Sequence, residues 1–76
     1  MKESDIVHEA PGDRVFVLRE AKAYTVCISG PTHAISDSSY HRNADGLSIA
    51  IARADYLAGR DVDAIFESLC RAARKL

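Results

Sequence analysis

The chain has 76 residues, of which 47% are hydrophobic and 28% are charged, proportions typical of a folded globular domain and not of a disordered segment. Ten Lys and Arg against eleven Asp and Glu leave a formal net charge of -1, which excludes a general attraction to nucleic acid or to an anionic membrane. Because a chain this short buries only about 60% of its unfolded surface, we expect one domain, residues 1–76, of modest stability.

The N-terminal segment and the cysteines bear on the compartment. The opening MKESDIVHEA lacks the apolar core of a signal peptide, and no apolar run approaches the roughly 20 residues that cross a bilayer. Small secreted domains usually carry more cysteine than this, so we expect Cys27 and Cys70 to be reduced, mostly buried thiols. Together these features predict a cytoplasmic protein without membrane contact.

The first half of the chain predicts short strands. Met1 to Asp5 is polar and is expected to fray, and Ile6 to Glu9 alternates weakly, as a short edge strand does. Pro11-Gly12-Asp13 predicts a tight turn, because proline fixes φ and glycine tolerates a positive φ. Arg14 to Arg19 is a β-branched and aromatic run typical of a central strand.

The two faces of that central strand are both apolar. Either Val15 and Val17 or Phe16 and Leu18 could face the core, and we expect Phe16 and Leu18 to do so. The next segment, Ala23 to Ser29, alternates most clearly, and it predicts a strand with one side formed by Tyr24, Val26 and Ile28.

One further strand is predicted before the helices. Thr32 to Asp37 alternates in the same way, with His33 and Ile35 on one face. The DSSYHRN segment from Asp37 to Asn43 is rich in side chains that hydrogen-bond their own backbone, and this favours a loop.

Asn43 to Gly59 predicts an α-helix. Asn43 or Asp45 can cap its first turn, and Gly59 stands where a left-handed residue would end it. Its apolar residues recur every three or four positions: Leu47, Ala50, Ile51, Ala54, Leu57 and Ala58.

A second helix is predicted from Val62 to Lys75, with Asp61 as its N-cap. Its apolar stripe consists of Val62, Ile65, Phe66, Leu69 and Ala73. We therefore predict an α+β fold in which a small antiparallel three- or four-stranded meander packs against the first helix and a C-terminal helix follows. The second helix either covers a remaining edge of the sheet or faces another copy of the chain, so a homodimer is a second expectation.

One constellation suggests chemistry. His33, Asp37 and His41 lie within one short segment, and they could serve as zinc ligands or, with Ser38 or Ser39, as a hydrolase set. The segment lacks the helical period that would bring side chains four residues apart together, and no metal-binding motif accompanies it. We interpret these residues as capping and turn groups, and we expect no enzyme activity and no cofactor or metal.

Arginines near the ends of the first helix suggest an anion-binding patch as an alternative. This alternative gathers Arg42, Arg53, Arg60 and His41 there, with Tyr40 or Tyr56 available for stacking. We interpret them instead as parts of a solvated surface with ordinary ion pairs.

Several runs resemble a group of small proteins of tailed bacteriophages and prophages of proteobacteria. The resemblance covers about residues 3 to 60, whereas the second helix lies outside it. It is carried by the opening ESDIVHEA, Thr32-His33, SDSSY from Ser36, DGLSIAIAR from Asp45, and Tyr56-Leu57-Ala58. The resemblance implies a phage setting, in which small proteins without catalytic motifs often inhibit host complexes, as anti-CRISPR proteins do.

Two functions follow as expectations. The first is a non-enzymatic inhibitor that binds a host complex, in particular a CRISPR effector, through the following residues: Glu9, Asp13, Glu20, Asp37, Tyr40 and His41. The alternative is a nucleic-acid-binding module similar in outline to AP2 and integrase arm-binding domains, whose sheets carry cations. Arg14, Arg19 and Lys22 are the main cations available to such a sheet.

Overall fold

Four strands form one antiparallel sheet with the order β1-β2-β3-β4, and two helices follow. The computed structural model describes residues 5–74, with side chains through residue 73. The elements are β1 (Ile6–Glu9), β2 (Val15–Arg19), β3 (Ala23–Ser29), β4 (Ala34–His41), α1 (Ala44–Ala58) and α2 (Val62–Arg74). The predicted α+β meander with two following helices is confirmed, whereas the expectations for Met1 to Ser4 and for Lys75 lie outside the described residues.

The turn between β1 and β2 has the predicted backbone. Gly12 has a φ of 96°, which glycine adopts without a steric penalty, and Asp13 follows with a φ of 58°. The amide of Ala10 donates to the carbonyl of Val15 at 2.9 Å and closes the turn. This geometry holds the Asp13 side chain at the end of the hairpin.

The predicted core face of β2 is wrong. Val15 and Val17 are buried, with 1% and 0% of their surface exposed, whereas Phe16 and Leu18 are half-buried on the opposite face. Val17 lies opposite Val26 in β3, so the β-branched residues of the two central strands share the face that the helices cover. Period-two patterning could not decide this, because both faces of β2 are apolar.

The predicted loop from Asp37 to Asn43 is also wrong over most of its length, because β4 continues to His41. Its hydroxyl groups find cross-strand partners: Ser39 lies opposite Thr25, and their side-chain oxygens are 3.1 Å apart. A β-bulge interrupts the pairing, since Ser38 lies opposite Val26 while Ser36 lies opposite Cys27. Asp37 is the extra residue of the bulge.

Helix α1 begins as predicted. The Asn43 side chain accepts a hydrogen bond from the Gly46 amide at 2.7 Å, so Asn43 is the N-cap. The residues of α1 that are buried against the sheet are Gly46, Ala50, Ala54 and Leu57. Gly59 follows the helix, but its φ of -86° is not left-handed, so the prediction of a left-handed stop is wrong. Its amide instead donates to the Tyr56 carbonyl in a tight final turn.

Helix α2 packs on the same face of the sheet as α1. Asp61 caps it, since its carboxylate accepts a hydrogen bond from the Ala64 amide at 3.1 Å. Phe66 is buried within the core cluster beside Gly30, where a Cβ atom would lie 2.1 Å from the phenyl ring. The rest of the predicted stripe of α2 is half-buried or exposed. Neither described helix is long and apolar enough to cross a membrane.

Gly46→Ala tests how closely α1 approaches the sheet. Glycine to alanine inside a helix ordinarily stabilises by about 1 kcal/mol. Here a Cβ atom would lie 1.7 Å from the carbonyl oxygen of His41, which is a backbone atom that cannot rotate away. We therefore expect the reverse sign, a loss of about 2 kcal/mol or more in the free energy of unfolding, measured by urea denaturation.

Ser48→Ala is the matched control, because Ser48 is exposed on the same helix. It should leave the free energy of unfolding within about 0.5 kcal/mol of the unsubstituted chain. A Gly46→Ala variant that gained stability would show that the helix lies farther from the end of β4 than described.

Candidate functional site: the open face of the sheet

Both helices lie on one face of the sheet, and the other face, here called the open face, is covered by no described element. The strand register places the following side chains on it: Ile6, Glu9, Phe16, Leu18, Ala23, Thr25, Cys27, Ser29, Ala34, Ser36, Ser39 and His41. None of them is Lys or Arg. The open face therefore combines apolar and hydroxyl groups with acidic charge.

An apolar strip crosses three strands of the open face. Ile6 lies opposite Leu18, and Phe16 lies opposite Cys27. Phe16 and Leu18 are two residues apart on the same face of β2, so the four side chains are neighbours on the open face. All except Cys27 are half-buried, and none belongs to the core cluster on the helix side. Apolar groups that neither helix covers are the usual centre of a protein interface.

Two of the predicted partner-binding acids meet at one groove. Glu9 and Asp13 line a groove of about 470 Å³ on the open face, together with Ile6 and Phe16. Ser29 at the end of β3, the turn at residues 30–33 and Ala34 complete the lining. The hairpin backbone at Asp13 and the pairing of Glu9 with Phe16 hold the two carboxylates beside an aromatic ring.

Glu20 lies at the other end of the open face. The Thr25 hydroxyl donates a hydrogen bond to the Glu20 carboxylate. Thr25 itself is buried, with 3% of its surface exposed. Glu20 is therefore part of the open face, but its carboxylate already has one partner within the sheet.

Tyr40 and His41 belong to a different groove. They line a space of about 470 Å³ between the end of β4 and the first turn of α1, with Lys22, Asp45 and Ile49 among its other walls. Lys22 and Asp45 give this groove charges of both signs. The six predicted partner-binding residues therefore do not form one site in the structure.

Asp37 is not available to a partner. Only 7% of its side chain is exposed, and both of its carboxylate oxygens accept hydrogen bonds from Arg53 of α1, at 3.0 and 3.3 Å. The hydrogen bond that Arg53 donates to Asp37 raises the pKa of Arg53 above its ordinary value. The bulge in β4 turns Asp37 toward the helix, so its inclusion in a partner-binding set is corrected to a structural role.

His33, Asp37 and His41 do not converge. His33 lies in the turn before β4, Asp37 in its bulge and His41 at its end, and eight residues at about 3.3 Å each would separate the two histidines by up to roughly 26 Å. Within residues 5–74, no group of three His, Cys, Asp or Glu side chains is placed to hold a metal ion. Ser38 donates to Asp37 at 2.8 Å and Ser39 pairs with Thr25, so neither hydroxyl is hydrogen-bonded to a histidine.

The arginines near α1 form two groups instead of one patch. Arg42 donates to the carbonyls of Glu20 and Ala21 beside the N-terminal end of α1. Near the C-terminal end of α1, the guanidinium groups of Arg53 and Arg60 lie 5.6 and 5.5 Å from the centre of the Tyr56 ring. The interpretation of these residues as separate surface contacts agrees with this arrangement.

The two cysteines lie on opposite faces of the sheet, and both are free thiols. Cys27 is 4% exposed beneath the apolar strip, and burial raises the pKa of its thiol. Cys70 is half-buried on α2, where it packs against the core cluster. A raised pKa keeps the Cys27 thiol protonated at neutral pH, which argues against its use as a nucleophile.

Comparisons with known proteins identify no relative: no protein-family model, no curated protein and no solved structure significantly matches the chain.

The residues that sequence reasoning missed are Phe16 and Leu18, which it assigned to the core, and their neighbours Ile6 and Cys27. One signal could have identified them. Val15, Val17, Val26 and Ile28 are all β-branched, and a helix with a stripe of Gly and Ala requires such compact, stiff partners. The larger side chains of Phe16 and Leu18 were the better candidates for the opposite face.

The Asp37–Arg53 ion pair gives an asymmetric prediction. Arg53→Ala leaves a carboxylate with 7% exposure and only the Ser38 hydroxyl as a partner, so we expect a loss of about 2 kcal/mol in the free energy of unfolding. Asp37→Asn leaves Arg53, whose side chain is 39% exposed and can turn to water, so we expect about 1 kcal/mol. Urea denaturation of the two variants at pH 7 measures both values, and equal losses would contradict the burial of Asp37.

Proposed function

We propose that this chain is a non-enzymatic, phage- or prophage-encoded protein that binds and inhibits a host macromolecular complex in the bacterial cytoplasm, namely a CRISPR effector. The observation that carries the proposal is the open face, which is a sheet surface with an apolar strip and a groove bearing two carboxylates. An apolar centre with charged groups at its margin is the usual anatomy of a protein interface. The phage setting comes from the sequence resemblance.

The composition of the open face favours a protein partner over nucleic acid. A sheet that lies in a DNA groove has to neutralise phosphates with Lys or Arg, and the outward positions of these four strands carry none. Arg14 is directed instead to the Ser29 carbonyl and to Asp63 of α2. We therefore rank the nucleic-acid-binding module below the inhibitor.

The acids suggest where on such a complex the protein would bind. CRISPR effectors hold their guide and target strands in a positively charged channel. Glu9 and Asp13 lie beside apolar groups, so this surface would meet a basic, partly apolar protein surface with complementary charge. Occupying that channel would block nucleic acid without any catalytic step.

Leu18→Ser tests the proposal in the host. Leu18 lies in the apolar strip and is half-buried, so the substitution removes contact surface at a stability cost of about 1 kcal/mol. We expect the tagged, unsubstituted protein to co-purify with effector subunits and to abolish CRISPR immunity against a targeted phage. Leu18→Ser should weaken effector binding at least tenfold, which corresponds to about 1.4 kcal/mol.

Tyr56→Ser provides the control, because Tyr56 is 55% exposed on α1, which covers the opposite face of the sheet. It should retain both effector binding and inhibition. Absence of effector subunits from the purified material, together with unaltered immunity, would contradict the proposal. Equal losses for Leu18→Ser and Tyr56→Ser would remove the open face as the binding surface.

A further inference from the structure

We propose that the groove lined by Ile6, Glu9, Asp13 and Phe16 accepts an arginine side chain of the partner protein. This inference rests on the proposed function, because it names the chemistry that the open face recognises. It concerns one groove and one side chain, and it can be tested without the partner.

The groove has an apolar floor and an acidic wall. Ile6, Phe16 and Ala34 supply the apolar surface, and Glu9 and Asp13 supply two carboxylates. The remaining lining is Ser29 and the turn at residues 30–33, in which His33 is the titratable group. Among residues 5–74, no Lys or Arg lines the groove, so the two acids set the charge of this part of its lining at neutral pH.

The side chain of Arg14 is held away from the groove. Arg14 stands beside Asp13 in the sequence, yet its Nε donates to the Ser29 carbonyl at 2.8 Å and its Nη1 lies 2.9 Å from an Asp63 oxygen on α2. The chain therefore neutralises Asp63 with its own arginine and leaves the groove acids to another cation.

Glu9 and Asp13 are acids without a partner in the part of the chain that the structure describes. Neither carboxylate forms a hydrogen bond or an ion pair there, whereas Asp37, Asp55 and Asp63 are paired with Arg53, His8 and Arg14 respectively. Both side chains belong to exposed residues, so their carboxylates are hydrated and accessible. Within the described residues, an incoming cation would therefore find two acceptors that require no prior contact to break.

Arginine fits this groove better than other cations. Its planar guanidinium stacks on aromatic rings and forms two parallel hydrogen bonds with a carboxylate, and Phe16 and the acids offer both partners. Its aliphatic stem would cover the apolar surface of Ile6 and Ala34. A lysine ammonium is a compact, strongly hydrated charge that gains less from the ring, and a calcium ion requires six or more oxygen ligands.

The test uses the full, ¹⁵N-labelled chain and two short peptides, acetyl-Gly-Arg-Gly-amide and the same peptide with citrulline, the neutral isostere of arginine. We expect the arginine peptide to shift the backbone amide resonances of Glu9, Asp13 and Phe16 with millimolar affinity. The citrulline peptide should bind at least fivefold more weakly. Glu9→Gln and Asp13→Asn should each weaken the arginine peptide at least threefold, whereas Asp45→Asn, in the other groove, should leave it unchanged.

Three results of the peptide experiment would overturn the inference. These are equal binding of the two peptides, shifts centred away from the groove, and concentration-dependent broadening of the groove resonances without peptide, which would place a second copy of the chain there. The proposed function is judged separately by co-purification with the effector. If inhibition persisted in Glu9→Gln and Asp13→Asn, the inference would fail while the proposed function stood. If the arginine peptide bound to the groove but the chain did not inhibit the effector, the proposed function would fail while the groove's affinity for arginine stood.

Discussion

The close approach of α1 to one face of the sheet is the constraint on which the rest of the structure depends. The helix presents Gly46, Ala50 and Ala54 to the sheet, and small side chains let the two backbones come near each other. The sheet contributes four buried side chains to this contact, each with 1% or less of its surface exposed: Val15, Val17, Val26 and Ile28. At Gly46 the approach is so close that the His41 carbonyl occupies the space of a Cβ atom.

Polar contacts at both edges of the sheet hold the helix in place over this apolar centre. On the β4 side, Asp37 in the bulge accepts two hydrogen bonds from Arg53. On the β1 side, the imidazole of His8 lies 2.8 Å from the Asp55 carboxylate. Since Arg53 and Asp55 stand two residues apart on α1, the helix is tied to the two outer strands at nearly the same level.

This arrangement leaves the second face of the sheet to other uses. A chain of 76 residues has enough helix to cover one face, and α2 adds Phe66 to that same side instead of crossing to the other. The open face therefore carries the apolar strip and the groove with Glu9 and Asp13. In this account binding capacity arises from incomplete coverage of a small sheet, with no need for a dedicated loop.

Much of the fold could be predicted from local patterns, and the errors have physical causes. β1, β3 and the caps Asn43 and Asp61 follow from alternation and from short polar side chains, so they were predicted within a residue or two. The C-terminal end of β4 could not be predicted from local patterns, since a run of serines becomes a strand only when a neighbouring strand pairs with it.

The candidate site was harder to predict than the fold. Glu9 and Asp13 were expected to bind a partner, but nothing in the sequence shows that a hairpin brings them to one groove beside Phe16. Asp37 was misassigned because its direction depends on a one-residue bulge, which has no signature in a serine-rich strand. The choice between the two apolar faces of β2 depended on the small residues of a helix some thirty positions later, which is a tertiary effect.

The solvent exposure of the two faces of β2 shows which face of the sheet the helices cover. A soluble gadolinium chelate broadens the NMR signals of methyl groups in proportion to their accessibility, so it can compare Leu18 with Val15 and Val17 in the same strand. The account predicts strong broadening of the Leu18 methyls and little effect on the two valines, as their burial requires. Broadening of Val15 and Val17 with protection of Leu18 would place the helices on the other face and contradict the account.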